Sequence, residues 1–272
     1  VAQHKILRSA IGAGVGLLVI GLVSLAALTK PASPVSPAVT SAASSSAVAS
    51  TTPTPSVEVS PAPVIPPTGT AAGSAGASDT VMALLATLPT DDAPDSHTGY
   101  KRDLFKLWID ADGNGCNTRA EVLISESSTS TSHTGTCTIS LGKWFSGYDG
   151  QWITVASQLD IDHFVPLSEA WKSGAYAWDA ATRKAFANDL GYAASLIAVS
   201  ASTNRAKGDS DPASWMPPNA SFACTYVSTW VAVKYRWSLT VDSRERTAIT
   251  TVLSGCGSLT LEPPARASIS NG

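Results

Sequence analysis

The sequence predicts an α+β domain whose centre is a strand, a connection, a second strand and a short helix, with further helices packed around it. Three observations carry this expectation. Residues 158–171, QLDIDHFVPLSEAW, place two carboxylates and a histidine, Asp160, Asp162 and His163, within four positions of a strand-like run. A second apolar run, Ser195–Ser200, leads into Asn204, Arg205, Lys207, Gly208 and Asp209. Composition then sets the first quarter of the chain apart: residues 31–78 carry one charge, Glu58, no aromatic residue, and mostly Ala, Ser, Thr, Pro, Val and Gly. Such a stretch cannot bury enough apolar surface to fold.

The chain opens with His4, Lys5 and Arg8 ahead of an uncharged, mostly apolar run, Ser9–Thr29. That run reaches the ~20 residues that span a bilayer and exceeds the ~7–15 of a signal-peptide core. The small residues of Ser24-Leu25-Ala26 suit cleavage. Residues 1–30 therefore read as a membrane anchor or a cleaved signal, and either exports the rest of the chain to the cell surface or the medium. Residues 31–78 read as a disordered spacer, extending by ~3.1 Å per residue where polyproline-like. All four cysteines, Cys116, Cys137, Cys224 and Cys256, lie beyond the export segment, so disulfides are expected. Four cysteines allow three pairings, of which the sequential one closes the shortest loops.

The folded part is expected over residues 79–256. Val81–Leu88 reads as a short packed helix stopped by Pro89, and Thr90–Thr98 as an acidic loop containing His97. In YKRDLFKLWI, Tyr100, Leu104, Leu107 and Trp108 recur at helical spacing with Lys101, Arg102 and Lys106 off that face, which predicts an amphipathic helix. The next stretch, DADGNGCNTRAE, matches a calcium-loop pattern through Asp110, Asp112, Asn114, Gly115 and Glu121. Against calcium stand Asn117, where such loops place an apolar residue, and VLISES, which favours a strand over a second helix; a structural turn held by Cys116 is the other reading.

Ser125–Thr136 is Ser/Thr-rich and reads as a hairpin tip. Residues 136–154 alternate as strands do, with Gly142, Gly147 and Gly150 as turns and Trp144, Phe145, Tyr148 and Trp152 as core or cleft wall. Leu167–Leu190 predicts two helices broken at Ser173-Gly174. Val227, Trp230, Val231, Lys234 and Trp237 predict a core helix over Cys224–Trp237. Asp242 and Glu245 form an N-cap and N3 pair opening a last helix that ends near Leu253. Residues 257–272 show no periodicity and are expected to fray.

Side chains alternate along a strand, so Asp160 and Asp162 share one face and His163 starts on the other. Pro166 is poorly tolerated in a central strand and provides the exit that brings His163 to a strand end over a cleft. A carboxylate beside an imidazole suits metal-assisted hydrolysis, the oxygen binding a divalent cation and the neutral ring accepting a proton from water.

The pair of motifs DIDHFVPLSEAW and NRAKGDSDP resembles the HNH endonuclease family, of ββα-metal fold. The whole segment Tyr100–Cys256, with D-x-D-G-N-G-C-x-T-R-x-E at residues 110–121, is similar to the secreted branch related to the nuclease domain of GmrSD-type restriction enzymes. The resemblance implies that His163 is the general base, that Asp162 and Asn204 hold one Mg²⁺ or Mn²⁺, and that Asp160 supports them. It places Arg119 at the substrate phosphate, with Glu121 in support. Arg205 and Lys207 read either as cations that neutralise the phosphate or as a solvated helix end. One position departs from the pattern. Where many members carry a middle Asn that fixes the histidine, this chain has Ser195, so Ser195, a backbone carbonyl or Asn188 is left to orient His163.

The resulting expectation is an exported, metal-dependent endonuclease acting on DNA, with RNA as a second substrate and the membrane as a partner if the N-terminal run is retained. The alternative is a noncatalytic calcium-stabilised surface module built on the Asp110–Glu121 loop. Charge counts against nonspecific nucleic-acid binding: the whole chain is at −3, and removing Lys5, Arg8, Lys30 and Glu58 leaves the domain more acidic still. A bound metal and a cluster of basic residues at the cleft, such as Lys101, Arg102, Lys106, Arg119, Arg205 and Lys207, would offset this.

Overall fold

Helix α1, Ala77–Thr87, opens the domain and lays Val81, Leu84, Leu85 and Leu88 into the core at helical spacing. In the computed structural model, which describes residues 77–257 and 261–272, it packs against α6, Ala223–Arg236, and α7, Ser243–Ser254. The expected export segment and nearly all of the expected spacer lie outside the described residues. Among those described, no helix is long and apolar enough to cross a membrane.

The helix expected over Tyr100–Ile109 is absent; the segment holds a single 3₁₀ turn, Arg102–Leu104. Trp108 has φ of 51°, outside the helical region, and the segment's backbone bonds go to a side chain instead. Asn188 accepts from the Ile109 N–H at 3.1 Å and donates to the Lys106 carbonyl at 2.7 Å. The helical spacing of its apolar residues reflects anchoring of an irregular strip, with Phe105 buried and Tyr100 edge-on to Trp171.

The next correction is of opposite sense. Val122–Glu126 of VLISES is helical, part of α2, Thr118–Glu126, with Ser127 as its C-cap. Its β-branched residues suggest a strand, but Asn117 caps the helix by accepting from the Ala120 N–H, and Ala120, Val122 and Leu123 are buried. A three-stranded antiparallel sheet comes next, in the order β1, Ser132–Thr134, β2, Thr138–Ser146, and β3, Gln151–Val155. Gly142, expected at a turn, lies inside β2, where the register shifts and a Cβ would meet the Trp144 ring at 2.5 Å. Trp144 and Tyr148 are core, whereas Phe145 and Trp152 pair across the exposed face.

Strands β4, Leu159–His163, and β5, Leu196–Ser200, form an antiparallel pair with His163 opposite Leu196 and Asp162 opposite Ile197. Its two faces serve two cores. Leu159, Ile161, Leu196 and Ala198 join Trp144, Val122 and Leu123 on one side. Val199 and the partly buried Ile197 join the larger cluster of Tyr148, Phe164, Tyr226 and Trp230. Asp160 and Asp162 sit on this second face by strand alternation. Helix α3, Leu167–Lys172, and α4, Ala180–Ala187, are broken at Ser173-Gly174, and α5, Ala201–Lys207, continues directly from β5.

Asp242 caps α7 by accepting from the Glu245 N–H at 2.8 Å. The Glu245 side chain turns inward, where Lys234, fully buried on α6, lies 2.7 Å from both Glu245 and Glu169 of α3. Burial pushes the Glu245 carboxyl up to about 7. The disulfides adopt the sequential pairing: Cys116–Cys137 ties the Asp110 loop to the sheet, and Cys224–Cys256 ties α6 to the end of α7. The C-terminal stretch, expected to fray, is docked: Ala267, Asp179 and Gly272 N–H groups donate to the Arg236, Ser270 and Ala177 carbonyls, and Leu261 and Ile269 pack on the core. Backbone pairing of this kind leaves no periodic side-chain signature.

Candidate active site

His163 is the last residue of β4, and Pro166, the N-cap of α3, turns the chain away from the ladder. The imidazole is buried, stacked on Trp108 at 5.5 Å with Phe186 beyond its other side at 6.4 Å. Its Nε2 lies 3.0 Å from the Ala187 carbonyl, which can only accept, so Nε2 carries the proton and Nδ1 is left as an acceptor. Burial lowers the imidazole pKa to about 4, so the ring is neutral at neutral pH.

Of the three groups left open by the sequence, the backbone carbonyl orients His163. Ser195 donates instead to Asp189 at 2.7 Å, and Asn188 holds the 106–118 strip. Three consecutive residues therefore divide the work. Ala187 holds the imidazole, Asn188 holds the strip that carries Trp108, and Asp189 is pinned to α6 by Arg236 at 2.8 and 2.9 Å and by the Trp237 indole at 2.9 Å.

Asp162 is buried against α5. Its Oδ2 accepts from Lys207 Nζ at 2.5 Å and from the Tyr148 hydroxyl at 2.6 Å. The same ammonium donates to the His163 and Phe164 carbonyls at 3.1 and 2.9 Å. Burial raises the Asp162 pKa and lowers that of Lys207, but three acceptors around Nζ and two donors on Oδ2 match an ammonium–carboxylate pair. Lys207, expected at a phosphate, has no exposed side chain and instead fixes the turn after His163. Asp160 is half-open to solvent, with Asn204 Nδ2 at 3.4 Å and Arg205 Nε at 3.5 Å.

Arg119 is also placed away from the expected role. Its Nη2 donates to the Ala156 and Leu159 carbonyls, both at 3.1 Å, and it lines a separate hollow with Asn117 and Ile139. The cleft over His163, about 180 Å³, is lined by Asp162, His163, Asn204 and Arg205, together with Arg102 and Asp209. Asp209 was not singled out from sequence as a site residue, Arg102 was one of the basic residues expected to cluster at the cleft, and Trp108 was read only as part of an apolar helix face. Nothing in sequence spacing distinguishes Arg102 from its neighbours Lys101 and Lys106.

The calcium-pattern residues converge on one exposed loop. Asp110 accepts from the Gly113 and Gly115 N–H groups at 2.8 and 2.9 Å, and Asn114 bridges Asp112 at 3.0 Å and Glu121 at 2.7 Å. These bonds close the loop internally. Helix α2, directly after the loop, removes one of the two objections to a calcium loop; Asn117, serving as helix cap, remains.

The donor set in the cleft fits a hard divalent cation. Asp162 Oδ2 is taken by Lys207 and Tyr148, so Oδ1 is the oxygen left for a metal, and Asn204 turns its amide nitrogen toward Asp160, leaving its carbonyl. Among the described residues no group of three or more His, Cys, Asp or Glu side chains is placed to hold a metal ion. An Asp–Asn pair is below that number, and Mg²⁺ bound by one or two protein oxygens takes the rest from water and phosphate.

Residues 118–252 match the family of the GmrSD restriction endonucleases, C-terminal domain. The chain is also 44% identical over 200 residues to an "Uncharacterized secreted protein" of Arthroderma benhamiae, an alignment covering 74% of this chain and 94% of that one. No solved structure matches.

Proposed function

This chain belongs to the GmrSD-related family of secreted proteins, and on that premise we propose that it is an exported metal-dependent endonuclease of the HNH type, hydrolysing phosphodiester bonds of DNA, with RNA as a second substrate. The observation that carries this reading is one cleft holding a neutral imidazole of fixed tautomer beside a hard-oxygen pair, Asp162 and Asn204. In this reading β4, β5 and α5 are the ββα-metal core.

His163 Nδ1 accepts the proton of an attacking water as general base, while the Ala187 carbonyl stabilises the positive charge the ring acquires. Trp108 and Phe186 hold the ring plane and exclude bulk water. Asp162 and Asn204 would hold Mg²⁺ or Mn²⁺, which supplies Lewis-acid stabilisation of charge on phosphate and on the leaving oxygen. Asp160 steers the Asn204 amide, and Arg205 faces the phosphate when released from Asp160. Lys207 keeps the Asp162 oxygen and the His163 carbonyl in place.

The test is incubation of the exported protein with plasmid DNA and with RNA, in Mg²⁺, Mn²⁺ or chelator. Metal-dependent nicking absent from His163→Ala supports the reading. Calcium raising the melting temperature with no cleavage in any metal would instead favour the surface module built on Asp110, Asp112, Asn114 and Glu121.

A further inference from the structure

We propose that Arg102 is a substrate-phosphate contact of this cleft, supplied by a segment that precedes the family-matched residues 118–252. The inference rests on the phosphodiesterase reading for its substrate class and deepens it by naming the group that receives the phosphate.

The other basic candidates are committed elsewhere. Lys207 is sealed in the interior with its three donors used, and Arg119 spends its Nη2 on two carbonyls. Arg205 lines the cleft but leans on Asp160 at 3.5 Å. Arg102 lines the same cleft, and among the described residues it forms no ion pair.

Its backbone is fixed although its side chain is exposed. The 3₁₀ turn Arg102–Leu104 closes with Phe105 N–H on the Arg102 carbonyl at 3.1 Å, and Phe105 is buried against Trp171 and Phe186. The downstream end of the strip is held by Asn188 and by the stacking of Trp108 on His163. A guanidinium on this mount lines the same cleft as the imidazole, Asp162 and Asn204. Its planar donor fork matches two phosphate oxygens, which a single ammonium cannot do.

Local charge agrees. Arg102 and Arg205 balance Asp162 and Asp209 in the lining of the cleft, so a divalent cation there leaves a net positive site for an anionic phosphodiester. Loss of Arg102 removes the lining cation that, among the described residues, has no carboxylate partner.

The test measures binding without turnover. The full exported chain, Arg102→Ala, Arg102→Lys and the neighbouring control Lys101→Ala are titrated with a short fluorescent oligonucleotide in chelator across a salt series. Arg102→Ala is expected to lose roughly 10- to 100-fold in affinity, the size of a charge-assisted hydrogen bond. Its salt slope should fall by about 1. Arg102→Lys should keep the slope and recover only part of the affinity, and Lys101→Ala should stay close to wild type. Arg102→Ala binding as the wild type does, or Lys101→Ala losing as much as Arg102→Ala, overturns the proposal, as does absence of oligonucleotide binding by the wild type. Cleavage in Mg²⁺ or Mn²⁺, measured in parallel, decides the phosphodiesterase reading separately: a wild type that binds through Arg102 but never cleaves sinks that reading and leaves the contact standing.

Discussion

Replacing Lys207 by Met removes the ammonium from a fully buried site while keeping the length of its stem. Three acceptors lose their donor: Asp162 Oδ2, at 2.5 Å, and the carbonyls of His163 and Phe164. Asp162 then keeps only the Tyr148 hydroxyl, in surroundings that already raise its pKa through burial. Breaking one side of such a pair costs about 3–5 kcal/mol. Proton uptake by Asp162 caps the loss, because a neutral carboxyl is cheaper to bury than an unpaired carboxylate. The expected loss is therefore about 3–5 kcal/mol at neutral pH and smaller at acid pH. Equilibrium unfolding in guanidinium of the oxidised protein measures it. The double variant Lys207→Met with Asp162→Asn should recover about 0.5–3 kcal/mol relative to the sum of the single losses, since the two groups are one interaction. A loss under about 1 kcal/mol for Lys207→Met would refute the strut. So would a drop of about 1 in the salt slope for nucleic acid with stability intact, the signature of a phosphate contact.

Glu126, whose Oε2 accepts from the Ala198 N–H at 2.9 Å, is raised by burial from 4.5 to about 7. The folded state then holds its proton more tightly than the unfolded chain, so this contribution is complete below the unfolded pKa and lost as pH rises to about 7. Glu126→Gln should flatten that loss and stabilise by up to about 3 kcal/mol above it. Parallel stability–pH curves for the two proteins would refute the assignment. His163→Ala should lose ~10²- to 10⁴-fold in cleavage rate with metal affinity unchanged, whereas the deficit of Asn204→Ala should shrink at high Mg²⁺ or Mn²⁺; equal response to a metal titration contradicts the separate roles. Reducing Cys116–Cys137 or Cys224–Cys256 should cost about 2–5 kcal/mol each, and free thiols found in all four by mass spectrometry of the secreted protein would contradict the pairing.

Local rules read well where the local interaction is what the fold uses. Asp242 caps α7 as its spacing with Glu245 indicates, Ser173-Gly174 ends α3, and the DIDH run is a strand that stops at its histidine. They fail where tertiary contacts replace local ones. Residues 100–109 have a helical apolar period, yet Asn188, far along the chain, supplies the backbone partners a helix would have supplied itself. In α2 the error has the reverse cause: β-branched residues suggest a strand, and a single capping Asn117 with a buried face decides for helix. Depth is the property least visible in sequence. Lys207 stands in the basic run NRAKGD and reads as a solvated cation, but α5 continues β5 with no intervening loop and aims that position at the interior face of β4.

The acidic balance of the chain, which argues against a nucleic-acid partner when counted as a whole, loses force once each charge is located. Glu169 and Glu245 converge on Lys234, and Asp189 on Arg236, inside the domain. Asp110, Asp112 and Glu121 belong to the loop closed by Asn114 and do not line the cleft over His163. Exposed charges more than about 8–10 Å apart are largely screened at physiological salt. What a phosphodiester meets is the charge of the cleft itself, where Arg102 and Arg205 face Asp162 and Asp209, and Asp162 already has the buried Lys207 on its Oδ2. A divalent cation entering such a site adds to the attraction that Arg102 and Arg205 already exert on an anion, so metal binding and substrate binding favour one another by the same electrostatics.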